Sequence, residues 1–235
     1  MVRIVVRFCL STGAVLDTAI SAFSVGEVNL FRRLFANLQA GSLTLGDRIF
    51  GTYADICLLK NRCVESAFRL HGARKTDFRR GKRLSKWDHL VHWEKPLRCP
   101  TGLSKKQFDL LPTQLLMREV RFYIQRRGFR TEDVTLVTTL LDPKTYSKQA
   151  LAQLYGYRWH AELDIRHLKT TMKMDFLPSK TPEMVRKDFY VHLLAYNLIR
   201  HLQWEAGCQS SVLTYWTSVR SQAISVWVKN GDICF

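Results

Sequence analysis

The chain has 235 residues, 46% hydrophobic and 11% aromatic, with 36 lysines and arginines against 20 acids and a formal net charge of +16. That length and apolar content suit one large folded domain, or a domain with an insertion, and exclude a disordered composition. The charge excess points to a polyanionic partner, nucleic acid first and an anionic membrane second. No apolar run approaches the ~20 residues that span a bilayer, and the opening MVRIVVRFCLSTG lacks the layout of a signal peptide. The 6 cysteines are scattered. None forms a C-x-x-C pair, so they read as reduced, mostly buried thiols of a cytoplasmic protein, not as a zinc site.

Residues 2 to 10 (VRIVVRFCL) are rich in β-formers and end at Ser11, Thr12 and Gly13, with 14 to 20 as the returning strand of a hairpin. One edge of a sheet holding this hairpin is expected to lack a partner within the chain. From 26 to 40 the apolar positions Val28, Leu30, Phe31, Leu34, Phe35 and Leu38 predict an amphipathic helix stopped by Gly41. Leu43 and Leu45 begin a short buried strand that Gly46 and Asp47 end, and Tyr53 to Arg62 reads as helical. An Asp just past the C-terminal end of a strand is where open α/β sheets place ligand and metal groups. The same residue can simply cap a turn.

Residues 64 to 68 form a further strand. The segment 69 to 86, RLHGARKTDFRRGKRLSK, then sets eight cations against one acid, Asp77. It has no apolar period and is expected to be a loop or extended arm. So dense a run repels itself unless phosphates neutralise it, which favours Arg74, Lys75, Arg79, Arg80, Lys82 and Arg83 as DNA-backbone contacts. A solvated surface loop is the bland alternative. Residues 87 to 142 read mainly as β, punctuated by Pro96, Pro100 and Pro112. Val134 to Leu141 is the best buried strand, and Ser147 opens the next helix.

That helix carries YGYRWHAELDIRHLKTTMK, residues 155 to 173. Tyr155, Arg158, Glu162, Arg166, Lys169 and Lys173 recur at three and four residues and line one stripe at about 100° per residue. The neighbouring stripe is Leu154, Tyr157, Ala161, Ile165, Leu168 and Met172. One face can pack on a core while the other shows a carboxylate among cations and a phenol. An ordinary surface helix with i,i+4 ion pairs would read much the same. A long helix follows over 183 to 206, with Val185, Phe189, Leu193, Tyr196 and Ile199 on its core side and Gly207 at its end. The tail is expected to be one more amphipathic helix with a frayed end.

A strand-end Asp and a helix Glu can converge over one sheet edge and hold a divalent metal, which prefers oxygen ligands. Two such ions about 3.5 to 4 Å apart make phosphodiester chemistry accessible. Tyr155, two residues, Arg158, three residues, Glu162, six residues, Lys169 resembles the Y-R-E-K signature of DDE transposases of the insertion-sequence-four family. GSLTLGDRIFGTY resembles that family's second-Asp segment, and FRLHGARKTDFRRGKRLSKWDHLVHWEKP a stretch found in its members. The likeness covers residues 2 to 205.

The resemblance implies an α/β, RNase H-like core, a mixed sheet flanked by helices, with a β-rich insertion between the second Asp and the Glu. The expected division is 1–68 and 133–207 for the core, 69–132 for the basic loop and insertion, and 208–235 for a tail. It implies Mg- or Mn-dependent cutting at transposon ends and strand transfer into target DNA, with two ions. Asp47 and Glu162 would be metal ligands and catalytic residues; Tyr155, Arg158 and Lys169 would contact phosphates near the cleaved end. Trp87 or Trp93 could stack on a displaced base. DNA is the expected partner, a homodimer on DNA the assembly to test, no membrane is expected, and the setting would be a bacterial cytoplasm, nucleoid-associated. The family's first catalytic Asp lies upstream of the hairpin, and Asp17 does not match its motif. The expectation is therefore an N-terminally truncated fragment with impaired cleavage. Left open are a DNA-binding remnant that does not cut, a nuclease recruiting Asp17, and an RNA or anionic-membrane binder.

Overall fold

A computed structural model describes residues 2–124, 132–174, 176–209 and 224–233. They fall into two units, Met1–Asn37 with Arg158–Phe235, and Leu38–Tyr157.

In the first unit, β1 (Val2–Cys9) and β2 (Val15–Ala22) form the expected antiparallel hairpin, with a bulge between Arg7 and Phe8. Gly13 closes its turn at φ +68, a left-handed conformation that favours glycine. Ile4, Val5, Val6 and Phe8 are buried. The opposite edge of β1 is filled by β9 (Ile224–Ile233), which runs antiparallel to it with Val6 facing Val228. This corrects two expectations, since the tail supplies a strand there and β1 is paired on both edges. The reason is visible in the sequence: Ile224, Val226 and Val228 alternate, and β-branched residues favour strands. Residues 210–223 of that tail lie outside the described residues.

The first helix is shorter than its apolar pattern. It runs as α1 (Glu27–Arg33) and tightens into a 3₁₀ turn, Leu34–Asn37, burying Leu30, Phe31, Leu34 and Phe35. The long helix α6 (Pro182–Gln209) buries Val185, Phe189, Leu193 and Tyr196. Ile199 was expected on the same side but is 45% exposed, and the helix runs through Gly207. Asn197 donates to the carbonyl of Val15 at 2.9 Å and accepts its N–H at 2.8 Å, tying α6 to the start of β2. The Tyr196 hydroxyl donates to Gly13 O at 2.9 Å.

In the second unit, β3 (Leu43–Gly46) and β4 (Glu65–Arg69) are parallel, joined by α2 (Tyr53–Lys60). Antiparallel pairing extends β4 through β8 (Glu132–Thr138), β7 (Gln114–Ile124), β6 (Asp88–Glu94) and β5 (Lys82–Ser85). The result is a mixed six-stranded sheet in the order β3-β4-β8-β7-β6-β5. Leu45, Phe50, Ile56, Leu59, Phe68, Met117, Val120 and Leu136 form its core. The prolines hold helix to one short element, α3 (Lys105–Asp109). Of the basic segment, residues 70–81 are loop as expected, while Lys82–Ser85 extend into an edge strand. Gly81 makes its approach possible, with φ +73 and room for no Cβ, which would fall 2.0 Å from the Leu90 carbonyl oxygen.

A buried ion pair crosses from β6 to β7. Arg118 donates through Nε and Nη2 to both oxygens of Asp88 at 2.9 and 2.7 Å, and through Nη1 to Tyr146 O at 2.6 Å. Removing the carboxylate leaves a desolvated guanidinium, so Asp88→Ala should cost about 3–5 kcal/mol in urea unfolding. The thiols are less uniformly buried than expected: Cys57 is buried, Cys63 and Cys99 exposed. Burial pushes the Cys57 thiol up to about 11. Iodoacetamide at pH 8 should therefore label Cys63 and Cys99 in the folded protein and reach Cys57 only after denaturation, as peptide mass spectrometry will read.

Candidate functional site

Asp47 follows directly on β3, whose four residues are all buried. Its carbonyl accepts from Phe50 N at 3.1 Å and closes the turn that leads toward α2. A parallel strand followed by a turn and a helix is the setting in which strand ends present ligand groups. The half-buried carboxylate has no hydrogen-bond or ion-pair partner among the described residues. It therefore retains its oxygens for a ligand while the backbone makes the turn.

The stripe carrying Glu162 is interrupted. Helix α4 (Lys148–Gly156), capped by Ser147 Oγ, which accepts from Ala150 N at 3.1 Å, stops at Tyr157. Helix α5 (Arg158–Arg166) follows, and His167–Thr171 form a π turn closed by Met172 N donating to His167 O at 2.9 Å. The wider π turn breaks the three-and-four phase. Lys173 then adopts φ 53. So Arg158, Glu162 and Arg166 keep the stripe on α5, while Lys169 sits in the π turn and Lys173 beyond it. Tyr155 is 3% exposed and its ring packs 6.3 Å from that of Phe122, so the phenol is not presented on an open face. The apolar stripe holds better: Ala161, Ile165 and Leu168 are buried. Arg158 pairs with Glu162 at 2.5 Å, the i,i+4 contact a surface helix would also make.

Glu162 belongs to the first unit, as does Asp17; Asp47 belongs to the second. The carboxylate of Asp17 accepts from Asn37 Nδ2 at 2.8 Å and from Thr18 N at 2.8 Å, and lies 3.9 Å from Arg7. Those partners occupy it structurally. Among the described residues no three His, Cys, Asp or Glu side chains form a metal-holding group. Asp47 and Glu162 have the hard oxygen donors that Mg and Mn prefer.

All six basic-segment candidates, Arg74, Lys75, Arg79, Arg80, Lys82 and Arg83, are exposed. The backbone beneath them is organised. Asp77 accepts from Arg79 N at 3.1 Å and from Arg79 Nε at 3.0 Å, and lies 3.6 Å from Arg80. These contacts hold the Asp77 carboxyl below the usual range. The Arg80 carbonyl lies 2.7 Å from His89 Nδ1, and His89 Nε2 is 3.2 Å from Glu119. Both ring nitrogens thus face oxygen atoms. Glu119 also accepts from Trp93 Nε1 at 2.7 Å, and the Arg74 guanidinium lies 3.8 Å over the Trp93 ring. Of the two tryptophans, Trp93 is 3% exposed and Trp87 40% exposed. Trp87 packs edge-on to Phe78 with Arg121 at 5.6 Å. Sequence spacing missed His89, Glu119, Phe78 and Arg121, because strand pairing, not proximity in sequence, brings them together; the alternating run around Val120 was the available signal.

A family model described as Transposase DDE domain matches residues 1–198. The chain is 26% identical over 208 residues to transposase InsG of insertion sequence element IS4 from Escherichia coli K12, covering 85% of this chain and 43% of that protein. It is 36% identical over 76 residues to the putative transposase InsL of insertion sequence element IS186A from the same strain, covering 32% of this chain and 20% of that protein. The transposase of insertion sequence element IS421 from Escherichia coli matches to the same extent, 36% over 76 residues. The chain spans less than half the length of these relatives. The mixed α/β architecture with its β-rich segment between Asp47 and Glu162 agrees with an RNase H-like DDE domain.

The Arg158–Glu162 pair is only partly shielded, at 16% and 31% exposure. Its stability contribution should be small, so Glu162→Gln should shift urea unfolding by no more than about 1 kcal/mol. A larger loss would make Glu162 chiefly a structural residue.

Proposed function

The chain belongs to the transposase DDE-domain family, and from that premise we propose that it binds DNA of a mobile element and acts in DNA transposition. The observation that carries this reading is the family match spanning both the strand-end Asp47 and the helix α5 that carries Glu162. In this reading those two carboxylates are catalytic residues that ligate Mg or Mn. Such an ion, when bound, polarises the phosphodiester and activates the attacking oxygen.

The rest concerns this chain's own side chains. Arg158 orients the Glu162 carboxylate through their ion pair. Arg158 and Lys169 contact phosphates near the reacting bond, whereas the buried Tyr155, expected there from its motif, packs against Phe122. Arg74, Lys75, Arg79, Arg80, Lys82 and Arg83, within the proposed insertion 69–132, follow the DNA backbone and supply salt-dependent affinity. Trp87, the exposed tryptophan, is the better placed of the two to meet a base. The protein would act in a bacterial cytoplasm, nucleoid-associated, as a homodimer on DNA ends and target. No helix among the described residues is long and apolar enough to cross a membrane.

The motif matches supply two carboxylates, Asp47 and Glu162, and a DNA-binding role without cleavage is the second reading. Duplex DNA carrying the element's end tests both, by fluorescence anisotropy and by nicking in Mg or Mn. Binding should persist without metal and survive Asp47→Ala and Glu162→Ala, with nicking abolished by either change. Nicking that survives Glu162→Ala would remove that residue from the site, and a chain that binds no duplex would contradict the proposal.

A further inference from the structure

The second unit contains an open pocket of about 630 Å³ whose lining includes Arg48, Thr52, His71, Arg74, Lys75 and Trp93. No acid lines it. Arg48 and Lys75 have no ion-pair partner among the described residues. Arg74 is held over the Trp93 ring at 3.8 Å, and Trp93 is itself fixed by its N–H to Glu119 at 2.7 Å. That stack presets the guanidinium, so little side-chain entropy is lost when it grips an anion. His71 Nδ1 accepts from Ala73 N at 3.2 Å, which places the ring proton on Nε2 as a further donor.

We propose that this pocket is a receptor for a single phosphate group, with Arg48, Arg74 and Lys75 as its cations, His71 as a further donor and Trp93 as the platform that positions Arg74. Arg48 has no place in the basic run at 69–86; it reaches the pocket from the turn that follows Asp47. The phosphate can belong to a DNA backbone or to a free phosphate ester. The DNA source rests on the function proposed above; the receptor itself does not.

Calorimetric titration with inorganic phosphate, at constant ionic strength in chloride buffer, tests the receptor on the full chain. The wild type should bind one phosphate. Arg48→Ala with Arg74→Ala should weaken binding at least about tenfold, the scale of one charge-assisted hydrogen bond. Lys105→Ala with Lys106→Ala, which removes the same charge from the exposed α3, should leave it unchanged. Equal phosphate binding by the pocket variant and the wild type, with circular dichroism showing both folded, overturns the proposal. So does no binding by the wild type. A second arm identifies the source. If the phosphate is DNA's, the pocket variant lowers the slope of log K against log salt for duplex DNA by about one, and the α3 variant does not. An unchanged slope with intact phosphate binding assigns the receptor to a free phosphate ester. Phosphate binding by a protein that binds no DNA would sustain the receptor and sink the transposition reading.

Discussion

The Arg118–Asp88 pair is the constraint on which the second unit depends. Both side chains are essentially solvent-free, and each needs the other to tolerate that burial. Because Arg118 faces Leu90 in the β6–β7 register, its bond to Asp88 runs diagonally and fixes the alignment of the two strands. A one-residue slip would bring Asp88 to the wrong face and leave a charge unpaired. The next residue of β7, Glu119, points the other way and is satisfied by His89 and Trp93. Each face of this ladder therefore holds a buried polar cluster with its partners in place.

That rigidity reaches the cations. The backbone of Arg80 is anchored at His89 and Arg74 lies on Trp93, so the positive segment rests on the β6–β7 platform. Charges of one sign normally spread a loop into solvent. Here the backbone contacts of Arg80 and the Arg74–Trp93 stack hold them near one another.

Much of the architecture was legible. The β1–β2 hairpin, the strand ending at Asp47, the helix after it and the β-rich stretch from 87 onward follow from alternation, turn residues and prolines. The Glu162 stripe was legible as far as Arg166, where a π turn that no residue pattern announces changes the phase. Tyr155 shows the limit of periodicity: a Tyr can serve a polar stripe or a core, and Phe122, far off in sequence, decides for the core. The tail was misread because short alternating runs and amphipathic helices overlap, and a strand is favoured only once β1 offers an open edge. The pocket in the second unit was out of reach, since Arg48, His71 and Trp93 meet only through folding.

The central claim is that the basic surface of the insertion grips a nucleic-acid backbone. The most direct measurement is the affinity of the full chain for duplex DNA across a salt series, compared with a variant carrying Arg79→Ala, Arg80→Ala, Lys82→Ala and Arg83→Ala. The account predicts a steep linear fall of log K with log salt for the wild type and a slope shallower by up to about four in the variant. A slope that the four substitutions leave unchanged would contradict it.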